Sequence, residues 1–330
     1  MGFNYPPFLS LCKAIILGNA KKVNISLTNK CNLRCRTCNI WRIYNHSPQL
    51  AEQELRVEDY ELFFRNFSFW NWISFTGGEP FLRKDLVDIV FAAYQRCEPL
   101  HTVSIPTNGY LTDKIVRDVQ EILYMKIPSL YISVSLDGLR EIHDANRGID
   151  GSFEHAISTF NSLRKLGNKR FKVHFEYLIS KYNQGKLSEV ISALNLSPND
   201  FIITIAQKSF FYDNMSLDIE PDRDILLQDI DWFISNLKIH SIHDFAQWTF
   251  LKHVSELNPI PCIAGKNSFY VDPYGRILPC LLKPSKLGTV KDKSLAPFVA
   301  NPRCRCFTPC ESYFALLAYF PKSMLETIKS

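Results

Sequence analysis

The sequence predicts an α/β protein, a partial (β/α)6 TIM-like barrel followed by a small cysteine-rich domain, and three observations predict it. Short β-rich runs alternate with helical patterns from about residue 22 to 210. Those runs alternate polar with apolar residues. Beyond residue 258, prolines, glycines and half of the ten cysteines gather in the last stretch of the chain.

Strands are expected at 23–28, 72–76, 102–106, 130–136, 171–179 and 201–206, with helices near 56–67, 84–98, 112–125, 152–166 and 186–194. Six such units in series imply a parallel sheet with crossover helices. Thr112 before DKIVRDV and Ser152 before FEHAI have the residue type of helix N-caps. A parallel sheet covered on both faces reads as continuous apolar runs. Here Val23, Ile25 and Leu27 alternate with Asn24, Ser26 and Thr28; Ile132, Val134 and Leu136 with Ser133, Ser135 and Asp137; Val173, Phe175 and Tyr177 with Lys172, His174 and Glu176. One face packs on helices and the other faces a lumen. Six strands with a polar inner face make an open barrel around a large polar ligand, not the side-chain-filled core of a closed eight-stranded one.

The organisation that follows is an N-terminal helical lead-in over 1–20, the barrel over 21–210, a helical connection over 211–258, and a metal-held domain with a C-terminal helix over 259–330. A core of this size needs no other support. No apolar run approaches the twenty residues of a membrane span, and the start, MGFNYPPFLSLCKAIILGNAKK, lacks the layout of a secretory signal. A cytoplasmic protein is therefore expected. Net charge is +5 with both signs interspersed, which excludes the basic tract of a nucleic-acid binder. Ten cysteines in a reducing compartment point to metal ligation over disulfides. Cys12 and Cys97, standing alone, read as small buried hydrophobes.

Cys31, Cys35 and Cys38 lie within eight residues in TNKCNLRCRTCNIW, just after the first strand. Thiolates favour zinc or iron–sulfur clusters. Structural zinc wants four protein ligands, and no histidine is nearer than His46. Three cysteines on a cluster leave one iron open. FTGGEPF, PTNGYL and SLDGLREIHD follow the second, third and fourth strands, so these motifs share the carboxyl ends of the strands, where parallel α/β proteins build their sites.

This pattern resembles the radical S-adenosylmethionine (SAM) enzymes. Cys31-x3-Cys35-x2-Cys38 is similar to their cluster motif, and Gly77-Gly78-Glu79-Pro80 to their GGEP loop. Thr107-Asn108-Gly109, Ser135-Leu136-Asp137-Gly138, His143-Asp144, Arg147-Gly148 and Gly151-Ser152-Phe153-Glu154 continue the likeness over roughly residues 20–210. The resemblance implies a [4Fe–4S] cluster on Cys31, Cys35 and Cys38 whose open iron takes the amino and carboxylate groups of SAM. It implies that Gly77, Gly78, Glu79 and Pro80 approach that amino group, the glycines without an obstructing Cβ. Ser135 and Asp137, lumenal by alternation, are placed for the SAM ribose or carboxylate, with Asn108 and Arg147 beside them. Thr37 departs from the aromatic or histidine common before the third cysteine; Trp41 is the substitute.

In the second group, Cys262-x12-Gly275-x4-Cys280, with FYVDPYG between, resembles the opening of the SPASM or shortened twitch extension. Asp272-Pro273-Tyr274-Gly275 reads as a hairpin turn on its own. Cys304-x-Cys306-x3-Cys310 departs from the full SPASM spacing. Five cysteines suffice for one auxiliary [4Fe–4S] cluster, on Cys262, Cys280 and Cys310 with Cys304 or Cys306 as the fourth ligand; zinc is the alternative.

The activity implied is reductive cleavage of SAM to a 5′-deoxyadenosyl radical that takes hydrogen from a substrate, with a donor such as flavodoxin or ferredoxin supplying the electron. A peptide or protein is one substrate class. A small metabolite such as a sugar, nucleotide or lipid precursor is the other, and the short segment before the first strand leaves no room for a peptide-clasping domain. A zinc-bound protein without catalysis is the remaining reading. His174 and Glu176, lumenal on the fifth strand, are the candidates for proton transfer or ligand contact.

Overall fold

The computed structural model describes residues 19–258, 260–298 and 314–316. Six parallel strands, β1 (Lys22–Ser26), β2 (Trp72–Thr76), β3 (Thr102–Thr107), β4 (Ser129–Ser135), β5 (Phe171–Ile179) and β6 (Phe201–Ile205), pair in chain order. The sheet does not close β6 onto β1. Instead β1 pairs in parallel with β7 (Ser268–Val271), which continues antiparallel to β8 (Arg276–Leu278) and β9 (Gly288–Thr289). The strands between Ser268 and Thr289 therefore extend the barrel's own sheet.

Among the described residues, eight helices of seven residues or more carry the connections: α1 (Val57–Asn66), α2 (Leu86–Arg96), α3 (Thr112–Tyr124), α4 (Arg140–Arg147), α5 (Ser152–Arg164), α6 (Leu187–Ala193), α7 (Arg223–Asn236) and α8 (Ile242–Ser255). The outer strand face is the core. Val23, Ile25, Ile132, Val134, Phe175 and Tyr177 are sealed beneath the helices, each such side chain contributing about 1.5–3 kcal/mol. Val173 is only partly buried, and Lys172 is exposed at the sheet's end. Phe269 of β7 meets Trp70 at 5.6 Å, and Trp70 stacks on Phe63 of α1 at 5.9 Å. That aromatic chain joins the C-terminal strands to the barrel core.

The lumen is less polar than the alternation predicts. Trp72, Tyr131 and Tyr270 line it together with Asn24, Ser104 and Ser133. Aromatic side chains filled positions that the strand pattern assigned to the inner face without saying how deep they lie.

Two expected N-caps are not caps. Thr112 is the first helical residue of α3 and its hydroxyl meets that of Thr159 at 2.7 Å. At α5 the cap position is Gly151, and the capping oxygens come from Asp144, which accepts from the Gly151 and Phe153 amides, both at 2.8 Å, and from the Ser152 hydroxyl at 2.7 Å. Asp144 lies on α4, a helix that is not among those expected from the sequence. Its buried side chains are His143 and Asn146, so it has no apolar stripe to find.

Burial works to raise the Asp144 carboxyl, but the bonds from Ser152, Phe153 and Gly151 outweigh it and hold the pKa below the ordinary carboxylate value. Asp144→Ala should cost about 1–2 kcal/mol in urea unfolding at neutral pH. Because the native pKa is depressed, this contribution is full above the ordinary carboxylate range and is lost as pH falls through the native value. The wild-type and variant curves should therefore converge on acidification.

Candidate active site

Cys31, Cys35 and Cys38 all line one cavity of about 340 Å³, whose wall continues along the inner face of the strands through Asn24, Ser104, Ser133 and Glu176. All three are thiols. Burial, reinforced by the neighbouring Cys35 sulfur, pushes Cys31 up to about 12, and the other two are raised mainly by burial. Three mutually repelling thiolates in a desolvated pocket are stable as anions only with a cation among them.

The backbone on all sides fixes the cysteine loop. Gly78 N donates to Thr28 O at 2.7 Å and Glu79 N to Lys30 O at 2.8 Å. A Cβ on Gly77 would lie 2.4 Å from Thr28 O, one on Gly78 would lie 2.1 Å from Lys30 O, and Gly77 has φ +138°. From the other side Arg34 N donates to Arg147 O, Arg36 N to Asn146 O, and Asn39 N to Tyr212 O. The first residues of the loop converge on Glu54. Its Oε1 accepts from Thr28 Oγ1 at 2.6 Å, from Asn29 N at 3.1 Å and from the Tyr44 hydroxyl, while Asn29 Nδ2 donates 2.9 Å to the Tyr274 hydroxyl of the DPYG turn.

Two donors reach the sulfurs. Asn108 Nδ2 is 3.9 Å from Cys31 Sγ while donating 2.8 Å to Asn32 Oδ1. Arg147 Nη1 is 3.8 Å from Cys35 Sγ, its Nη2 donates 2.9 Å to Asp137 Oδ1, and its Nε lies 2.9 Å from Oδ2. Burial pushes the Asp137 carboxyl up further than Arg147 draws it down, and the same pairing keeps the buried guanidinium charged.

Residues 25–194, just over half of the chain, match the Radical SAM superfamily, and residues 262–318 match an iron–sulfur cluster-binding domain, SPASM. The chain belongs to the radical SAM superfamily. It is 31% identical over 173 residues to Fe-coproporphyrin III synthase of Methanosarcina barkeri, covering 51% of this chain and 39% of that protein. It is 24% identical over 297 residues to the sporulation killing factor maturation protein SkfB of Bacillus subtilis, covering 87% of this chain and 66% of that one. It thus spans less than two thirds of the length of either. Native anSMEcpe with bound AdoMet and Kp18Cys peptide aligns at a TM-score of 0.59 and 15% identity, over 94% of this chain and 99% of that one, a likeness of fold.

A radical SAM enzyme carries a [4Fe–4S] cluster and SAM, and the SPASM match adds an auxiliary iron–sulfur cluster. The residues present fit the first pair: three thiols lining one cavity, glycines packed to the contact limit, and a cation beside one sulfur. Gly77, Gly78, Pro80, Asn108, Ser135 and Arg147 line the cavity with the cysteines, as do Thr37 and Trp41. Two motif residues stand behind the wall. Glu79 is buried, with Oε1 accepting from Phe81 N and Thr107 Oγ1 and Oε2 accepting 2.7 Å from Asn108 N. Asp137 faces Arg147. Of the fifth-strand candidates, Glu176 lines the cavity opposite Ser135 in the ladder. Burial raises its carboxyl to about 7, with Arg147 opposing and Asp137 adding.

His174 lies outside the cavity lining. Its ring is 6.2 Å from Tyr131 and 5.6 Å from His243, its Nδ1 is buried without a partner, and burial lowers it to about 3. His243, on α8, does line the cavity. The sequence reading missed it because the only signal was a histidine in a helix assigned to a connection. Cys262 and Cys280 flank the β7–β8 hairpin, whose turn forms as expected, with Gly275 N donating 3.0 Å to Asp272 O. Cys304, Cys306 and Cys310, like Cys12, lie outside the described residues; Cys97 is buried at the end of α2.

Gly78→Ala forces a methyl into the Lys30 carbonyl and should displace the cysteine loop. Anaerobic reconstitution of this variant should lose about the iron equivalent of one cluster while unfolding stays cooperative. Retention of all wild-type iron would show that the close approach is not needed.

Proposed function

We propose that this chain reductively cleaves SAM at a [4Fe–4S] cluster held by Cys31, Cys35 and Cys38 and uses the resulting radical to modify a peptide or protein. One observation carries the reading: the three thiols, Gly77, Gly78 and Arg147 all line one cavity of about 340 Å³, which leaves room for a ligand beside the thiols. A [4Fe–4S] cluster on these three thiols would supply the one electron for reductive cleavage of SAM, and the hydrogen-abstracting chemistry would be the cofactor's own. Gly77, Gly78 and Pro80 bound the SAM amino end. Asn108, Ser135 and Arg147 bound its carboxylate and ribose. Glu79 and Asp137 act through their neighbours, the first holding Asn108 and the second Arg147. Thr37 and Trp41 border the adenine.

Cys262, Cys280 and Cys310, with Cys304 or Cys306 as the fourth ligand, would hold the auxiliary cluster in the 259–330 domain, which follows the barrel of 21–210 and its helical connection over 211–258. Glu176 is the lumenal group poised to accept a proton near neutral pH. The oxygen-sensitive clusters and the unlinked thiols of the first motif suit the cytoplasm. SkfB, similar over most of this chain, is a maturation protein, which favours a peptide substrate. The likeness to Fe-coproporphyrin III synthase favours a small metabolite as the second reading.

Cys31→Ala should abolish 5′-deoxyadenosine formation after reduction while iron and absorbance of the auxiliary cluster persist. Stoichiometric zinc in the wild-type protein, with no 5′-deoxyadenosine, would sink the proposal. Incubating the reduced enzyme with deuterated peptide and metabolite fractions decides the substrate class by which fraction passes deuterium to 5′-deoxyadenosine. If Glu176 takes the proton, product formation at saturating SAM should rise with pH through about 7, and Glu176→Gln should be slower and flat across that range.

A further inference from the structure

The cysteine loop has an outer face that the cavity does not use. Lys30, Arg34, Arg36 and Arg42 are exposed on it, and no Asp or Glu occurs between Lys21 and Ala51. Exposed and cavity-lining residues alternate along this loop. Arg34 and Arg36 are exposed while Cys35 between them lines the cavity. Trp41 lines the cavity and lies 5.8 Å from the Arg34 guanidinium and 4.7 Å from that of Arg42. Arg36 rests 5.4 Å from the Tyr182 ring. Neighbouring segments bring Asp150, next to the Gly148 turn, and Asp213, whose carbonyl accepts 3.0 Å from Asn39 Nδ2. These two carboxylates do not offset the loop's four cations.

We propose that this face docks an acidic one-electron carrier protein, of the flavodoxin or ferredoxin class, directly over the three cysteines. The inference rests on the function proposed above, which requires one electron from outside for each SAM cleaved. The carrier is oxidised by one electron and the cluster on Cys31, Cys35 and Cys38 reduced by one, with no bond made or broken. Position selects this partner over other polyanions. A nucleic acid or an anionic membrane gains nothing from nearness to the thiols, whereas an electron carrier must come close to them, and these four cations stand on the thiol-bearing loop and the turn that follows it. Charge complementarity of this kind acts mainly on the encounter rate and fades with salt.

The test is stopped-flow reduction of the reconstituted enzyme by an acidic flavodoxin hydroquinone and, separately, by dithionite. The expected result is a flavodoxin rate that falls with ionic strength and drops about tenfold or more in Arg34→Glu/Arg36→Glu, with the dithionite rate unchanged. Equal flavodoxin rates in wild type and variant overturn the docking surface. Should the double variant hold less iron, Arg42→Glu, farther from the thiols, is measured in its place against the same two criteria. Direct binding of oxidised flavodoxin by calorimetry needs no turnover, so it reads the docking even if SAM cleavage fails. Binding of phosphatidylglycerol vesicles or duplex DNA with loss in the same variants, and none of flavodoxin, also overturns the proposal.

Discussion

The site depends on one close approach, that of the Gly77–Gly78 backbone to the loop that carries the thiols. Thr28 O and Lys30 O each accept an amide from the second strand's loop, and at both glycines a single methyl would collide with those carbonyls. A loop of non-repetitive backbone holding three buried sulfurs has no ladder of its own, so its amides and carbonyls must find partners elsewhere. They find them on three sides: the GGEP loop, the end of α4 and the loop after β6. Because main chain does the holding, the side chains of the loop are left to face the cavity or the solvent.

Charge sets the second constraint. Sulfurs withdrawn from water are protonated unless a positive group stands near. Arg147 stands near, and it is itself buried, so it needs a counterion to be retained there as a cation. Asp137 is that counterion, fixed from behind by the fold: its amide donates 3.1 Å to His143 Nδ1 and its carbonyl accepts from Asn183 Nδ2. An isolated buried pair of this kind contributes little net stability. Its value lies in holding one guanidinium nitrogen on the side of Cys35.

Much of this was legible in the sequence because it follows local rules. Strand alternation located the lumen, and β2 and β5 begin and end where the pattern places them. The motif spacing located the cysteines, the glycines, Asn108 and Arg147. What local pattern could not supply was which side of a strand-end residue the fold would use. Glu79 and Asp137 both sit within cofactor motifs, yet their carboxylates turn away from the cavity to hold Asn108 and Arg147. His174 alternates inward with Glu176, but it lies a full pleat lower, among Tyr131 and His243, where the lumen is closed by rings. His243 comes from a helix far along the chain, and only the tertiary path of α8 brings it to the barrel.

The same reasoning applies to the junction of the two cysteine-bearing regions. Composition marks a cysteine-rich region beyond residue 258, and its first strand, β7, pairs with β1 in register, Lys22 against Ser268 and Ile25 against Val271. The strand that leads into Cys31 therefore shares its ladder with the strand that lies between Cys262 and Cys280. Leu55 N donates 2.9 Å to Pro273 O, and Tyr274 reaches Asn29, so the hairpin turn presses on the first residues of the cysteine loop through Glu54. From the opposite flank Ser209 Oγ donates 2.8 Å to Leu281 O while Asn214 Nδ2 donates 2.9 Å to Thr37 O. A shift of the β7–β8 hairpin would thus move the cysteine loop at both ends, because these hydrogen bonds tie the two together. The loop that carries Cys31, Cys35 and Cys38 and the hairpin between Cys262 and Cys280 are held as one unit, and the placing of the three thiols depends on both.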